Sequence, residues 1–284
     1  KVFNAPVVIQ MTDDEKFLFR NGLSYEMLQH MLRENARDII ACGFDPDNTF
    51  IFGDFEYMGK MYREVVKIEN LVTANQAFGI FGFNMSDSIG KIRFAATQAA
   101  PSFSNAFPHI FKKDSNVYCL IPQAIDQDPY FRMTRDVAGR LNYTKPALIH
   151  CKFFPGLHGA QSKMSASNTS NSVFLTDTKE MIKAKVQRAH SGGGKTLELQ
   201  RANGANLAED VPYQWLCAFL EDDERLAEIG RRYESGEMLT GEIKKILVEE
   251  VWRVVDAHQQ ARAKVTDEVL DLFMRERPLR GGNL

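Results

Sequence analysis

The pentapeptide KMSAS at residues 163–167 combines residue types that bind phosphate groups. Lys163 offers a mobile positive charge, and Ser165 and Ser167 offer hydroxyl and backbone N–H groups to phosphate oxygens. The surrounding glycines and serines predict a loop that could close over a nucleotide. A polar connector between two domains has the same composition, so these five residues alone leave both interpretations open.

Three further polar clusters have side chains suited to amines, amides and ribose hydroxyls. They cover Gln10–Lys16 at the tip of the first predicted strand, Gln98–Ser104 and Ala124–Phe131. Consecutive carboxylates in the first cluster suit an ammonium ligand or a helix N-terminus. In the last cluster, Asp126 could bind both hydroxyls of a ribose, and Gln127 an amine or a carbonyl. Helix capping and a buried amide are the structural alternatives.

Short apolar runs alternate with helical patterns, which predicts a parallel sheet. The first strand, helix and second strand form a βαβ unit. A helical, loop-rich insertion over residues 58–112 follows, and then the alternation resumes. Such sheets hold their ligands beyond the carboxyl ends of the strands. The predicted strands cover residues 6–10, 49–52, 117–121 and 146–151, and predicted helices begin after Ser24 and near Pro129.

After the KMSAS stretch the sequence becomes almost wholly helical. Asp177 with Glu180 predicts the start of one helix, and Thr266 predicts the start of the last. We therefore predict a Rossmann-like α/β domain with a parallel sheet over residues 1–171. An all-helical domain over residues 172–284 follows it.

The composition is that of an ordinary globular protein, with 44% hydrophobic and 25% charged residues in 284. A net charge of −2 provides no global field that attracts nucleic acid. No apolar run is long enough to span a bilayer, and the opening residues have neither the basic nor the apolar region of a signal peptide, so we expect a cytoplasmic protein without a membrane partner. Four cysteines, far apart among apolar neighbours, predict buried, reduced thiols. The abrupt opening on Lys1 leads us to expect a gene product that begins upstream.

A second glycine-rich stretch, Ser191–Thr196, ends like the phosphate-binding loop of P-loop NTPases. That motif needs a glycine where Ala189 stands, and a strand before it where a helix is predicted. We therefore predict an interdomain turn. The nucleotide affinities of Lys163→Ala and Lys195→Ala variants would separate the two candidate loops.

The segments VIQ at residues 8–10, AIDQ at 124–127 and KMSAS at 163–167, in this order and separation, resemble the class I aminoacyl-tRNA synthetases. Within that class the chain is similar to the tryptophanyl-tRNA synthetases of the eukaryotic and archaeal cytosolic type. The likeness covers essentially the whole chain. It implies a Rossmann-like catalytic domain, an insertion over residues 58–112 that helps to form a homodimer, and a helical anticodon-binding domain.

The resemblance implies a tryptophan site made of amides and one acid. Gln10 resembles the partner of the indole N–H, whereas Glu15, Gln98 and Gln127 resemble the residues that fix the α-amino group. An indole has one donor and no acceptor. A buried amide oxygen opposite it therefore favours tryptophan over phenylalanine, which would leave that oxygen unpaired.

The same resemblance implies an ATP site. Asp126 resembles the ribose ligand, and Lys163 with Ser165 resembles the catalytic part of a mobile loop that holds the pyrophosphate. The implied reaction is attack of the tryptophan carboxylate on the α-phosphorus of ATP, followed by transfer to the 3′-terminal adenosine of tRNA(Trp). Magnesium would be carried on the phosphates, since the sequence offers no dedicated metal site. The full set implied to bind ATP is Asp126, Gln127, Lys163, Met164 and Ser165.

The sequence departs from the family pattern in two places. None of the six histidines begins the His-x-Gly-His signature, which in relatives lies upstream of the strand that opens this chain. We therefore expect these 284 residues alone to form negligible adenylate, and near-normal ATP–pyrophosphate exchange would refute that expectation. Ala166 stands where most class I enzymes have a second lysine, a trait that eukaryotic tryptophan enzymes share.

Two other functions remain as alternatives. Tyrosyl-tRNA synthetases share the fold, but their site needs partners for a phenol hydroxyl, and the amide-rich set described above suits an indole better. A non-catalytic fragment that serves as a binding module would be consistent with the missing signature. For tRNA, the candidate contacts are Lys244, Lys245 and the basic tail Arg275–Arg280.

Overall fold

The computed structural model describes residues 5–112, 116–164 and 169–282, without the side chains of residues 160, 161 and 163. The described strands are β1 (Val7–Met11), β2 (Thr49–Gly53), β3 (Leu120–Ala124), β4 (Ala147–Cys151), β5 (Pro155–Gly156) and β6 (Gly159–Lys163). The described α-helices are α1 (Asp13–Phe19), α2 (Tyr25–Ala41), α3 (Asp54–Glu69), α4 (Ala74–Phe81), α5 (Ile89–Ala99), α6 (Asp128–Arg140), α7 (Lys179–Gln187), α8 (Leu197–Asn203), α9 (Val211–Phe219), α10 (Asp223–Glu234), α11 (Thr240–Arg262) and α12 (Asp267–Met274).

The chain divides into two compact units. The first contains Lys1–Lys152 and Lys264–Leu284, and the second contains Phe153–Ala263. These limits differ from the sequence-based boundary between residues 171 and 172.

The parallel strands of the first unit confirm the predicted α/β class. β1 pairs with β2 from Val7–Thr49 to Met11–Gly53, and β3 pairs with β4 in the same parallel sense. Each pair is linked by a helical crossover, as parallel pairing requires. The two pairs are separate two-stranded sheets in the described part of the chain, rather than one continuous sheet.

Three of the four predicted strands occur within one or two residues of their expected limits, but β3 begins three residues later than predicted. The preceding backbone turns to a different partner, because the N–H of Val117 donates to the hydroxyl of Ser104 at 3.2 Å. Pairing with β4 starts only where the carbonyl of Cys119 accepts from Ala147. The strand therefore ends directly before Ile125–Gln127, a short 3-10 turn.

An aromatic cluster forms the main core of the first unit. Phe50 and Phe52 from β2 pack on Tyr57 from α3 and on Phe107, and all four side chains are buried. The Tyr57 hydroxyl donates to the carbonyl of Ala106 at 2.9 Å, so its polar end is paired. This core anchors β2 and the start of α3, and both elements support the candidate site.

Helix α12 explains why the last residues belong to the first unit. Its buried Leu270 and Phe273 join a cluster with Ile51 of β2 and residues of α2. Arg277 then donates to the carbonyl of Thr49 at 2.8 Å. The capping residue Thr266 is as predicted, but these contacts across more than 200 residues are invisible to local patterns.

Gly53 ends β2 in a position that excludes a side chain. A Cβ atom there would lie 2.5 Å from Cδ1 of Leu32 and 2.9 Å from Oδ2 of Asp13. We expect Gly53→Ala to lower the free energy of unfolding by about 1–3 kcal/mol, the usual effect of overpacking. Urea denaturation would measure this change.

Gly59→Ala is the matched control, because Gly59 lies in the same helix as Asp54 and a Cβ there would meet no atom within 4 Å. This variant should raise stability by about 0.5–1 kcal/mol through helix propensity. Equal destabilisation by both substitutions would contradict the packing argument.

The second unit has a helical core around α9, α10 and α11. Trp215, Leu216 and Tyr233 are almost fully buried, and the indole N–H of Trp215 donates to the carbonyl of Pro155 at 3.0 Å. Asp210, also fully buried, accepts from Tyr233 and from the backbone N–H groups of Gly192 and Tyr213. These hydrogen bonds compensate the burial of the carboxylate.

One predicted helix start in this unit is wrong. Thr178, not Asp177, caps α7, because the Thr178 hydroxyl accepts from the N–H of Met181. Asp177 instead accepts from the N–H of Phe174 at 2.8 Å and pairs with Lys185 at 2.6 Å. Asp177 therefore stabilises the preceding loop turn and an ion pair instead of capping α7.

The cysteines only partly match their prediction. All four are free thiols, as expected, but Cys42, Cys151 and Cys217 are exposed and only Cys119 is largely covered. Apolar neighbours in sequence therefore did not predict burial. None of the helices in the described part of the chain combines the length and apolar character that crossing a bilayer requires.

Candidate functional site

Gln10 lies at the carboxyl end of β1, and its amide nitrogen has defined partners. The Nε2 atom donates to both carboxyl oxygens of Asp54, at 2.8 and 3.0 Å, and lies 3.5 Å from the carbonyl oxygen of Thr97. Asp54 begins α3, and Thr97 lies near the end of α5. Three elements that are distant in sequence therefore meet at this side chain.

Asp54 belongs to a group of three carboxyl groups whose nearest oxygens lie within 4.8 Å of one another. Asp13 accepts from the N–H of Phe55 at 3.2 Å and from Gln29 at 3.0 Å, so it caps the start of α3. A carboxyl oxygen of Asp14 also lies within 4.8 Å of one of Asp54. A hydrogen bond between two carboxyl groups needs a proton on one of them.

Burial sets the protonation of this group. Asp54 is fully buried, and its desolvation together with the charge of Asp14 raises its pKa to about 10. Burial likewise raises the pKa of Asp13 and Asp14. The Asp14–Asp54 pair therefore retains one proton at neutral pH and titrates as a unit. Paired carboxyl groups that hold a proton and bind Gln10 are poor ligands for a cation.

The proton shared by Asp14 and Asp54 predicts how stability varies with pH. Above pH 4 an unfolded chain loses this proton while the folded chain keeps it, so the pair makes stability fall as pH rises towards 10. Asp54→Asn removes that titration. We expect its free energy of unfolding, relative to that of the unmodified protein, to be larger at pH 8 than at pH 4.5 by about 1 kcal/mol or more.

Urea denaturation at the two pH values measures this difference. The exposed Glu221 provides the control, because Glu221→Gln removes one carboxyl group without touching the pair. An Asp54→Asn advantage of the same size at pH 4.5 and pH 8 would contradict the assigned protonation.

Glu15, the third acid of the predicted cluster, has partners of its own. Its Oε2 accepts from the Thr12 hydroxyl and from Lys16, both at 3.0 Å. Burial, and to a smaller extent the negative charge of Glu15, raise the pKa of the Tyr130 phenol on α6. Glu15 thus lies within electrostatic range of the helix that follows the Asp126–Gln127 turn.

Gln98 lies on helix α5 directly after Thr97, whose carbonyl lies 3.5 Å from the Gln10 nitrogen. The helix contacts both α1 and α6. Aromatic rings fill these contacts: Phe94 lies 6.1 Å from Phe19 and 6.2 Å from Tyr130, measured between ring centroids. Aromatic rings thus hold α5, the helix that carries Gln98, against α1 and α6.

Two cavities flank Asp54 and Gln10. One, of about 210 Å³, is lined by Gln10, Asp13 and apolar residues of α2. The other, of about 410 Å³, is lined by Asp14 and Asp54 together with Phe55, Phe94 and Thr97. The larger has the size and mostly apolar lining of a site for a small aromatic molecule.

Asp126 and Gln127 lie in the 3-10 turn after β3, where the predicted ribose and amine ligands were expected. Asp126 is exposed and Gln127 partly exposed. Gln127 is the N-cap residue of α6 but makes no side-chain capping bond. The side chain of Gln127 therefore does not cap α6, although capping was the structural alternative for this cluster.

Asp128, at the first position of α6, is held on both sides. Its Oδ1 lies 2.8 Å from Nε2 of His150 on β4, and its Oδ2 accepts from Arg132. The hydrogen bond to His150, and then the Arg132 guanidinium, lower the pKa of this carboxyl. These contacts fix the start of α6 and hence the preceding turn.

Two residues near the candidate site were missed by the sequence analysis. Asp54 gave no local signal, because its role depends on Gln10, 44 residues away. Gln123 on β3 is 6% exposed, and neither amide atom has a hydrogen-bond partner in the described structure. An unpaired buried amide costs free energy. A glutamine just after an apolar run was therefore the available sequence signal for this residue.

The KMSAS stretch is only partly described. Lys163 ends β6, whose strand pairs antiparallel with β5, and its side chain is outside the described structure. Met164 packs against the core of the second unit. Ser165 and the two residues after it also lie outside the described residues. The predicted roles of Lys163 and Ser165 therefore stay predictions.

The competing loop, Ser191–Thr196, is a packed turn. The N–H of Gly192 donates to Asp210 at 2.9 Å and that of Gly193 to the Ser191 hydroxyl at 3.1 Å, so both groups have protein partners. Thr196 caps α8. A phosphate-binding loop needs free backbone N–H groups, and these two are not free.

The predicted basic cluster for tRNA is not a single surface. Lys244 is 7% exposed, and its ammonium donates to the carbonyls of Gln187 and Ala189, both at 2.9 Å. Arg277 donates to backbone carbonyls of the first unit, and Arg280 pairs with Asp45. Lys244, Arg277 and Arg280 therefore contribute to holding the fold, whereas Lys245 and Arg275 are exposed, and their contact with tRNA stays a prediction.

Comparison with known proteins places these features in one family. The model of the class I tRNA synthetases for tryptophan and tyrosine matches residues 110–255. The cytoplasmic tryptophan–tRNA ligase of Homo sapiens is 56% identical over 282 residues, which are 98% of this chain and 60% of that protein. The corresponding ligase of Schizosaccharomyces pombe is 55% identical over 275 residues, 96% of this chain and 70% of that protein.

A solved structure of a product-bound parasite tRNA synthetase superimposes with a TM-score of 0.94 at 47% identity. The superposition covers 96% of this chain and 73% of that one. The present chain spans about 60% of the length of its mammalian relatives.

Proposed function

Because this chain belongs to the class I tRNA synthetases for tryptophan and tyrosine, we propose that it is the larger part of a tryptophan–tRNA ligase. The enzyme would activate L-tryptophan with ATP to tryptophanyl-adenylate and then transfer the tryptophanyl group to tRNA(Trp). Both curated relatives described above carry the tryptophan activity in their names. This favours tryptophan over the tyrosine alternative.

The position of the polar residues at the ends of parallel strands carries the proposal. Gln10 lies at the end of β1, and Asp126 and Gln127 directly follow β3. Ligands of parallel sheets bind beyond the carboxyl ends of the strands. Gln10 also contacts the carbonyl of Thr97, which precedes Gln98 on α5, and α5 contacts α1, the helix of Glu15.

In the proposed tryptophan site, the carbonyl oxygen of Gln10 accepts the indole N–H. Glu15 supplies a negative charge, and Gln98 and Gln127 supply amide oxygens, to the α-ammonium group. Tyrosine has no donor at the indole position, and phenylalanine would leave the Gln10 oxygen unpaired. Selectivity then follows from the cost of that unpaired group.

For the first chemical step we propose that Asp126 binds the ribose of ATP while the tryptophan carboxylate attacks the α-phosphorus. Lys163 would neutralise the departing pyrophosphate, and Ser165 and the backbone at Met164 would donate to its oxygens. Magnesium would enter with the phosphates. The carboxyl groups of Asp13, Asp14 and Asp54 are engaged with one another and with Gln10, so we derive no step through a protein-bound metal.

We further propose that the helical region over residues 172–284 is the anticodon-binding domain and contacts tRNA(Trp), and that residues 1–171 form the catalytic domain. The insertion over residues 58–112 would form a homodimer interface. It carries Met85 and Ile89, which are 88% and 85% exposed, and large exposed apolar side chains favour association. A cytoplasmic location is consistent with the names of the relatives.

Calorimetric titration of the full-length gene product with L-tryptophan and L-tyrosine tests the proposal. We expect binding of tryptophan alone, followed by tryptophan-dependent ATP–pyrophosphate exchange. Tyrosine-dependent exchange would instead identify a tyrosine enzyme. Tryptophan binding without exchange by the full-length gene product would identify a non-catalytic binding module.

A further inference from the structure

We propose that Asp54 is the positioning residue that sets which end of the Gln10 amide faces the substrate, and so makes the site selective for a hydrogen-bond donor. The proposal rests on the function proposed above, because it concerns how the tryptophan ligand Gln10 is oriented. Asp54 itself would touch no substrate atom. Its contacts with Gln10 carry the argument.

Both neighbours of the Gln10 nitrogen have acceptor oxygens facing it. Asp54 offers its carboxyl oxygens at 2.8 and 3.0 Å, and Thr97 offers a backbone carbonyl, which can never donate, at 3.5 Å. An amide rotated by 180° would place its own oxygen against these oxygens. The surroundings therefore require the nitrogen at this position and turn the carbonyl oxygen away from Asp54.

Asp54 is itself held too firmly to adapt to a rotated amide. It is fully buried at the first position of α3, beside Gly53, where Asp13 and Leu32 leave no room for a side chain. A carboxyl oxygen of Asp14 lies within 4.8 Å of one of Asp54 and is an acceptor for the Asp54 proton. Asp54 then presents an acceptor to Gln10 rather than a donor.

The orientation determines the chemistry that Gln10 offers. A freely rotating amide would accept from a ligand or donate to it, and would discriminate poorly. An amide fixed by Asp54 offers an acceptor only, so a ligand with an N–H group at that point is bound and one without it leaves the oxygen unpaired. The substrate class selected is an aromatic amino acid with a ring N–H donor.

Two variants of the full-length gene product test this role. Asp54→Leu keeps the branching at Cγ but puts methyl groups in place of both carboxyl oxygens, so it removes the acceptor and releases the amide. Asp54→Asn keeps an oxygen for Gln10 and offers a donor to Asp14, which reproduces the protonated acid. The ligands are L-tryptophan and β-(3-benzothienyl)-L-alanine, in which sulfur replaces the ring N–H.

We expect Asp54→Leu to weaken tryptophan binding about 10-fold while the benzothienyl affinity changes less than about twofold. Asp54→Asn should retain the selectivity of the unmodified protein within about twofold. A merely structural role for Asp54 would weaken both ligands equally. Calorimetry measures all six affinities, for the unmodified protein and the two variants with both ligands.

An unmodified protein that selects tryptophan, together with an Asp54→Leu variant that selects it equally well, would overturn this inference alone. An unmodified protein that binds neither ligand would overturn the proposed function and this inference together. Should Asp54→Leu fail to fold, hydrogen exchange of the Gln10 side-chain amide in the ligand-free protein decides. Protected amide protons support the inference, and exchange at the rate of an exposed glutamine refutes it.

Discussion

Replacing Lys163 with alanine is expected to slow ATP–pyrophosphate exchange by the full-length gene product about 10²- to 10³-fold. The proposed reaction concentrates negative charge on the departing pyrophosphate, and removal of one fixed electrostatic partner of a transition state has an effect of this size. Ala166 leaves Lys163 as the sole cation of the KMSAS stretch, so no neighbouring lysine can compensate. The apparent affinity for tryptophan should change little.

Lys195→Ala is the matched control. It removes one lysine from the other glycine-rich stretch, where the N–H groups of Gly192 and Gly193 already have protein partners. Exchange by this variant should stay within about twofold of the unmodified rate. A large loss with Lys195→Ala and a small one with Lys163→Ala would reverse the assignment of the phosphate-binding loop.

The second large effect is expected for Gln10→Leu, which should weaken tryptophan binding about 10- to 100-fold. The substitution removes the proposed acceptor of the indole N–H and leaves that donor buried without a partner. Affinity for β-(3-benzothienyl)-L-alanine should change little or improve, because this ligand has no N–H to satisfy. Calorimetric titration with both ligands measures the change in selectivity.

Gln29→Leu is the control for this substitution. Gln29 donates to Asp13 at 3.0 Å, so the variant disturbs the same group of acids from the opposite side without altering Gln10. Its tryptophan affinity should remain within about twofold of the unmodified value. Equal losses for the two variants would mean that Gln10 acts through the fold rather than through the ligand.

The elements that the sequence predicted correctly are those whose limits are set by residues within or next to the element. Ser24 caps α2 as its type and position indicate, and the apolar run after Thr49 is the buried strand β2. The errors occur where a distant contact decides. Ser104 redirects the backbone before β3, Lys185 draws Asp177 away from capping α7, and the chain after Lys264 returns to the first unit.

The same contrast between local signals and distant contacts applies to the candidate site. Gln10 and the Asp126–Gln127 turn lie at strand ends as the sequence indicated, whereas Gln98 lies in helix α5, and the roles of all four come from the family resemblance and stay predictions. Asp54 was not, since its significance depends on a contact across 44 residues and on complete burial. Lys244 illustrates the opposite error: a lysine on an amphipathic helix predicts an exposed charge, but its ammonium is buried against two carbonyls.

A crystal structure of the full-length gene product with bound L-tryptophan tests the central claim most directly. We predict the indole nitrogen at about 2.9 Å from the carbonyl oxygen of Gln10, while the Gln10 nitrogen stays on Asp54. Tryptophan bound away from Gln10, or no bound tryptophan at saturating concentration, would contradict the account.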